Sequence, residues 1–254
     1  MTVKVIALNT FKEAVRDRIL YLLLFFAALA IVLSRVLAVL TVGDRTKVVK
    51  DVGLASISFF GALMAILIGT GLVYKEIEKR TIFTLLAKPI RRHEFLLGKY
   101  FGLVLTLAVM TAAMSLIFLL LVFAHTLTVE VRLLVPVFFI FLELCLLTAV
   151  AILFSSFSTP ILSSLFALSF YLIGHFSWSL ETLLKRTRPG AGRAALRVVY
   201  TLLPDLENFN VKTEAVHGLP IPASLFLYAP AYGLVYTAFV LLLAVLVFRR
   251  RDFV

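Results

Sequence analysis

Six apolar runs, each near twenty residues, punctuate this chain and decide which solvent it can fold in. A helix needs roughly 20 apolar residues to cross a hydrocarbon core of about 30 Å, and the runs fall at about 19–40, 52–74, 100–123, 133–154, 161–178 and 225–248. With 62% hydrophobic and only 15% charged residues, and a mean hydropathy of +1.06, the chain has too few polar groups to cover a water-facing surface, since ordinary globular domains carry roughly 25% charged residues. The expected fold class is an all-α membrane protein, a single transmembrane domain over residues 1–254 with six transmembrane helices. Pro160 opens the fifth run, and Ser163, Ser164 and Ser169 dilute it. A re-entrant segment therefore stands there beside a full span as an alternative.

Charge sets the expected orientation. The formal net charge of +11 does not point to nucleic acid, because the cations lie between apolar runs and form no continuous basic domain. Lys4, Lys12, Arg16 and Arg18 precede the first run. Lys75, Lys79, Arg80, Lys88, Arg91, Arg92 and Lys99 fill the loop after the second, and Arg249, Arg250 and Arg251 follow the sixth. An even number of spans puts these three groups on one side, and the excess of cations in short loops makes that side cytoplasmic. The expectation is a multi-pass protein of a prokaryotic cytoplasmic (inner) membrane, in contact with lipid, with both termini in the cytoplasm. The long segment 179–224 is then external. A helix-like run at Ala194–Leu203, followed by Gly218, Pro220 and Pro222, predicts one or two short helices capping the outer mouth.

Residues 1–18 read as an amphipathic elbow helix and not as a signal peptide, since the charges sit immediately before the apolar run and no small-residue cleavage site follows. Val3, Ala7, Phe11, Ala14 and Val15 recur at helical spacing, the pattern of a helix in the membrane interface.

Catalytic motifs are not found. Gly98-Lys99 resembles the end of a P-loop, but His93 stands where the upstream glycine belongs and Tyr100 where Ser or Thr belongs. The four histidines, His93, His125, His175 and His217, have no paired ligand spacing, and the single cysteine, Cys145, excludes an intramolecular disulfide. No metal site and no cofactor in this chain are expected. Glu143 is the most unusual residue, because it falls near the centre of the fourth run, where an uncompensated charge costs at least about 2.5 kcal/mol. It is either a substrate or proton site along a pathway, or a protonated or hydrogen-bonded carboxyl holding helices or subunits together. Arg35 sits near the outer end of the first run, within reach of the interface by snorkelling. Gly98 and Gly102 form a G-x-x-x-G pair, a spacing that lets helix backbones approach closely.

The loop from Tyr74 to Gly102 reads YKEIEKRTIFTLLAKPIRRHEFLLGKYFG. Its pattern is a short helix with a polar start and an apolar end, stopped near Pro89. On pattern alone it suits lipid contact and partner docking equally well.

This loop resembles the first cytoplasmic loop of ABC-2 type permeases through Glu76 and Glu78, Arg80-Thr81, Leu85-Leu86, Pro89, Arg91-Arg92 and Gly98-Lys99. Phe11-Lys12-Glu13, Leu203-Pro204, Phe209-Asn210 and the closing Phe248-Arg249-Arg250-Arg251-Asp252-Phe253 fit the same family, with the branch linked to multi-copper-enzyme maturation most similar. The resemblance implies a type V exporter-like bundle and a permease subunit that is not itself an enzyme. It also implies a second permease subunit, with a homodimer expected, and partner ABC ATPase subunits that carry ATP and Mg. Residues 75–99 would form the coupling loop, with Glu76, Glu78 and Arg80 as polar contacts and Ile82, Phe83 and Leu86 as docking or packing residues. Export or lipid-related transport is the expected direction. The competing readings are a gradient-driven transporter or channel centred on Glu143, and an intramembrane lipid-modifying enzyme, for which the clustered acids and histidines are not evident.

Overall fold

A computed structural model describes residues 2–41, 44–78, 91–176, 183–184, 193, 197 and 204–250. The described chain is helical: α1 (Thr2–Val15), α2 (Arg18–Leu40), α3 (Arg45–Glu78), α4 (Arg92–Thr126), α5 (Leu134–Ser155), α6 (Pro160–His175), α7 (Lys212–His217) and α8 (Leu225–Arg250), with 3-10 turns at Val131–Leu133 and Leu206–Phe209. Helices α2 to α6 and α8 run alternately up and down, so that α2 starts, α3 ends and α8 ends at one face of the bundle. That face, which carries the N-terminal helix and the end of α8, is called here the terminal end.

Five helical stretches are long and apolar enough to cross a membrane: Arg18–Leu40, Arg45–Gly71, Arg92–Thr126, Val131–Ser155 and Leu225–Phe248. The fifth expected span, α6, is apolar but has only 16 residues, about 24 Å at 1.5 Å per residue. It falls short of the core on its own. Pro160 occupies its first turn, where the missing N–H removes no helical hydrogen bond.

Helices α3 and α5 form the centre, each with 67% of its apolar window buried, while α2 and α8 bury 22% and 28%. The outer pair therefore presents its apolar side chains to lipid, among them Phe25, Val36, Leu234 and Leu242. Lipid supplies no hydrophobic drive between helices, so close packing and interhelical hydrogen bonds hold the centre together. Near the terminal end, Ser155 Oγ donates to the Thr70 carbonyl at 3.0 Å, and the Thr70 and Ser164 hydroxyls meet at 2.8 Å. These bonds clasp α3, α5 and α6. At the opposite end, Lys50 and Glu130 pair at 2.6 Å.

Helix α1 is seated against the first turns of α4. A Cβ at Gly98 would lie 2.6 Å from the Ile6 Cβ, and one at Gly102 would lie 2.5 Å from the Ala7 carbonyl oxygen. The G-x-x-x-G pair thus receives the N-terminal helix, and Thr10 and Ala14 are fully buried. The amphipathic pattern that predicts an interfacial helix is realised here with part of its inner face on protein, leaving Lys4, Val5, Leu8, Lys12 and Arg16 exposed.

Candidate functional site

Two polar sites stand out in this apolar bundle, one at the base of α4 and one deep on α5. The first is built at the start of α4, just after the loop that follows α3. Arg91 caps the helix, its N–H donating to Glu94 Oε2 at 3.1 Å. Arg92 Nη1 donates to the Phe248 carbonyl at 3.1 Å, and the Phe95 and Phe248 rings stack at 6.1 Å. One turn further on, Lys99 is 1% exposed and its Nζ lies 3.4 Å from Glu13 Oε2 of α1. The Phe95 ring centroid is 5.9 Å from the same ammonium. The pair sets an ammonium shut off from solvent against a carboxylate that is 40% exposed and therefore screened by water. The base of α4 is thereby tied to α1 on one side and to the end of α8 on the other.

Of the predicted docking residues, Glu76 and Glu78 fall in the last turns of α3, where their side chains lie outside the described residues. Arg80, Ile82, Phe83 and Leu86 also lie outside the described residues. The helices flanking them are long: 34 residues in α3 and 35 in α4, about 51 and 52 Å respectively. Both exceed the roughly 30 Å core, and the loop joins their ends on the terminal side.

The second site surrounds Glu143, which is 2% exposed. Its partner comes from α6, where His175 Nε2 lies 3.4 Å from Glu143 Oε1. Neither Glu143 Oε1 nor either His175 ring nitrogen completes a hydrogen bond. The Tyr171 ring packs on His175 at 4.6 Å, and the Tyr171 hydroxyl approaches Ser58 Oγ of α3 at 3.4 Å.

Residues 204–217, called here the plug for their place against the bundle, pack on α5 and α6 beside this site. Leu206, Phe209, Val211, Ala215 and Val216 are buried. Leu206 fills the space beside Gly174, where a Cβ would come within 2.7 Å. The Asp205 N–H donates to the Tyr232 hydroxyl at 2.9 Å, and Arg132 donates to the Gly218 and Leu219 carbonyls. Lys212, at the start of α7, is largely buried. Burial pushes its pKa below the ordinary lysine value.

Sequence reasoning singled out Glu143 and missed its neighbours. His175 stands in the sequence only as one of four dispersed histidines. The Lys99–Glu13 pair was also missed, although both residues lie in motifs that carry the family resemblance. The run Ala194–Leu203, expected to be helical, falls almost entirely outside the described residues. Arg35 is exposed on α2, consistent with a snorkelling side chain. Among the described residues, no group of three or more His, Cys, Asp or Glu side chains is placed to hold a metal ion.

Among curated proteins, none gives a significant match to the chain. Residues 4–253 match the family described as ABC-2 family transporter protein. A match over nearly the whole length, on a bundle of apolar helices of membrane-spanning length, makes this a multi-pass membrane protein and the permease component of an ABC transporter: the chain belongs to the ABC-2 transporter family.

Proposed function

We propose that this permease carries the motion of cytoplasmic ATPase subunits into its bundle through the loop between α3 and α4. The observation that carries the reading is the pairing of the full-length family match with two helices that both outrun the membrane core and are joined by that loop. In this reading Glu76, Glu78 and Arg80 make polar contacts with the ATPase, and Ile82, Phe83 and Leu86 dock or pack. ATP and Mg bind on the partner. The terminal end faces the cytoplasm of a prokaryotic inner membrane. A conformational change needs a ligand that favours one state over another, and here the nucleotide acts through the ATPase on the base of α4. That base moves with α1 and the end of α8, to which Lys99 and Arg92 tie it.

A second permease subunit, a like copy, completes the pathway. An apolar groove of about 410 Å³ between α4 and α5 supports lateral pairing or an apolar cargo; it is lined by Thr111, Ser115, Leu119, Val137, Phe138 and Phe141 among others. Export of a lipid-related substrate is the direction most in keeping with it.

The test is co-purification with an ATPase subunit, followed by replacement of Ile82 and Phe83 with Asp. The expected result is loss of ATPase binding with the permease still folded. Unchanged assembly and unchanged coupled ATPase activity would remove the docking assignment. Transport by the purified permease without any ATPase would favour the gradient-driven alternative centred on Glu143.

A further inference from the structure

We propose that Glu143 holds a proton and donates it to His175, so that a net-neutral acid–imidazole pair fastens the end of the short helix α6 to the middle of α5. The inference is independent of the ATPase-docking reading. Glu143 is 2% exposed and lies close to the middle of α5. Helix α6 ends at His175, whose Nε2 is 3.4 Å from Glu143 Oε1. A bare carboxylate in the core costs at least about 2.5 kcal/mol, and among the described residues Glu143 has no other ion-pair partner. The pair must settle its own charge.

A proton on the imidazole would make an ion pair, and a proton on the carboxyl a neutral hydrogen bond. Ionising both groups carries a desolvation penalty of several kcal/mol per ion, repaid only when the geometry is close and the remaining donors and acceptors are satisfied. Neither condition holds here. The separation is 3.4 Å, and Glu143 Oε1 and both ring nitrogens complete no hydrogen bond. The helix C-terminus at His175 favours an imidazolium, but by about 2 kcal/mol at most. A proton on the carboxyl removes both charges at once. It also makes the facing atoms a donor and an acceptor, since a neutral imidazole keeps one ring nitrogen free to accept. A small closure of the gap then gives an O–H···N bond. Tyr171 covers the face of the imidazole and meets Ser58 of α3, and both hydroxyls are uncharged near neutral pH. The charges nearest the pair are those of Lys212, Asp205 and Glu207 on the plug. Among the described residues none of the three is hydrogen-bonded or ion-paired to Glu143.

The test reads the proton directly. Infrared spectra of the full chain in nanodiscs at neutral pH are recorded with and without carbon-13 at the glutamate side-chain carboxyls. Their difference cancels lipid esters and aspartates, and solvent-facing carboxyls are ionised at that pH. The expected result is a carbonyl band of one protonated glutamic acid, lost in Glu143→Gln and moved to higher frequency in His175→Leu, where the acceptor is gone. Absence of the band from the parent overturns the proposal without recourse to any variant. A band that survives Glu143→Gln, or one unmoved in His175→Leu, overturns it as well. Packing is checked by the reaction of a charged maleimide with Val216→Cys in a Cys145→Ser background, a position on the plug that is 5% exposed. In nanodiscs both membrane faces are open to the reagent. Glu143→Gln, whose amide still donates to His175, is expected to label at the parental rate. Rapid labelling of that variant would also count against the proposal, because an amide donor would have failed to replace the acid.

Discussion

The base of α4 and the chamber around Glu143 both bury polar groups in an apolar bundle, yet they are built for opposite behaviour. At the base, the partners Lys99 and Glu13 sit on helices whose backbones nearly touch through Gly98 and Gly102. Around Glu143, the partner is His175 of α6 at 3.4 Å, and a short connecting segment packs alongside through Leu206 and Phe209. The first arrangement makes one body of α1 and α4, so displacing one displaces the other. The second seats side chains of a short segment against two spans, at Gly174 and Gly233, with no backbone of its own inside them. Backbone proximity suits transmission, and side-chain burial on a short segment suits opening.

The largest expected effect lies in the plug. Phe209→Ala empties a fully buried site facing Gly233 and Tyr232, and large-to-small changes of this kind cost about 3–5 kcal/mol. The account predicts that the plug loosens while the spans persist: Val216→Cys labels rapidly, and the helical circular dichroism stays close to that of the parent. A global loss of helix would erase the distinction between the two regions.

Gly102→Val is next. Its side chain meets the Ala7 carbonyl and the Thr10 side chain, and overpacking of this order costs about 1–3 kcal/mol. Limited proteolysis should release the segment around α1 faster, with plug labelling unchanged. If plug labelling rises equally, the two regions are not separable.

Glu13→Gln is the mildest. The carboxylate is 40% exposed, so solvent screening reduces the worth of the pair to about 1 kcal/mol or less. A small fall in thermal midpoint without release of α1 is expected, because the glycine seat remains. If Glu13→Gln frees α1 as readily as Gly102→Val, the charge and not the backbone contact holds the seat.

How much of this was legible in the residues follows from which interactions are local. The run from Arg18 to Leu40 and the run ending at Ser155 appear as helices close to where hydropathy places them, because lipid exposure acts on each residue separately. The shortness of α6 was also visible, in Pro160 and in the serines that follow. The glycine pair at Gly98 and Gly102 announced a close approach but not its partner, since spacing on one helix carries no information about the face that meets it. Glu143 announced a need for company in the same way. Its neighbours arrive from α6 and from the connecting segment, and no periodicity links those stretches. The proposed docking residues Glu76, Glu78, Arg80, Ile82, Phe83 and Leu86 rest on the family resemblance alone.

The most direct measurement joins the two regions. The complex with the proposed ATPase partner is reconstituted in nanodiscs, and the labelling rate of Val216→Cys, in the Cys145→Ser background, is compared with and without ATP. If force enters at the base of α4 and the plug is what yields, ATP changes that rate several-fold, and the Ile82→Asp, Phe83→Asp variant abolishes the change while keeping the nucleotide-free rate. A labelling rate indifferent to ATP in an assembled, hydrolysing complex would contradict the account.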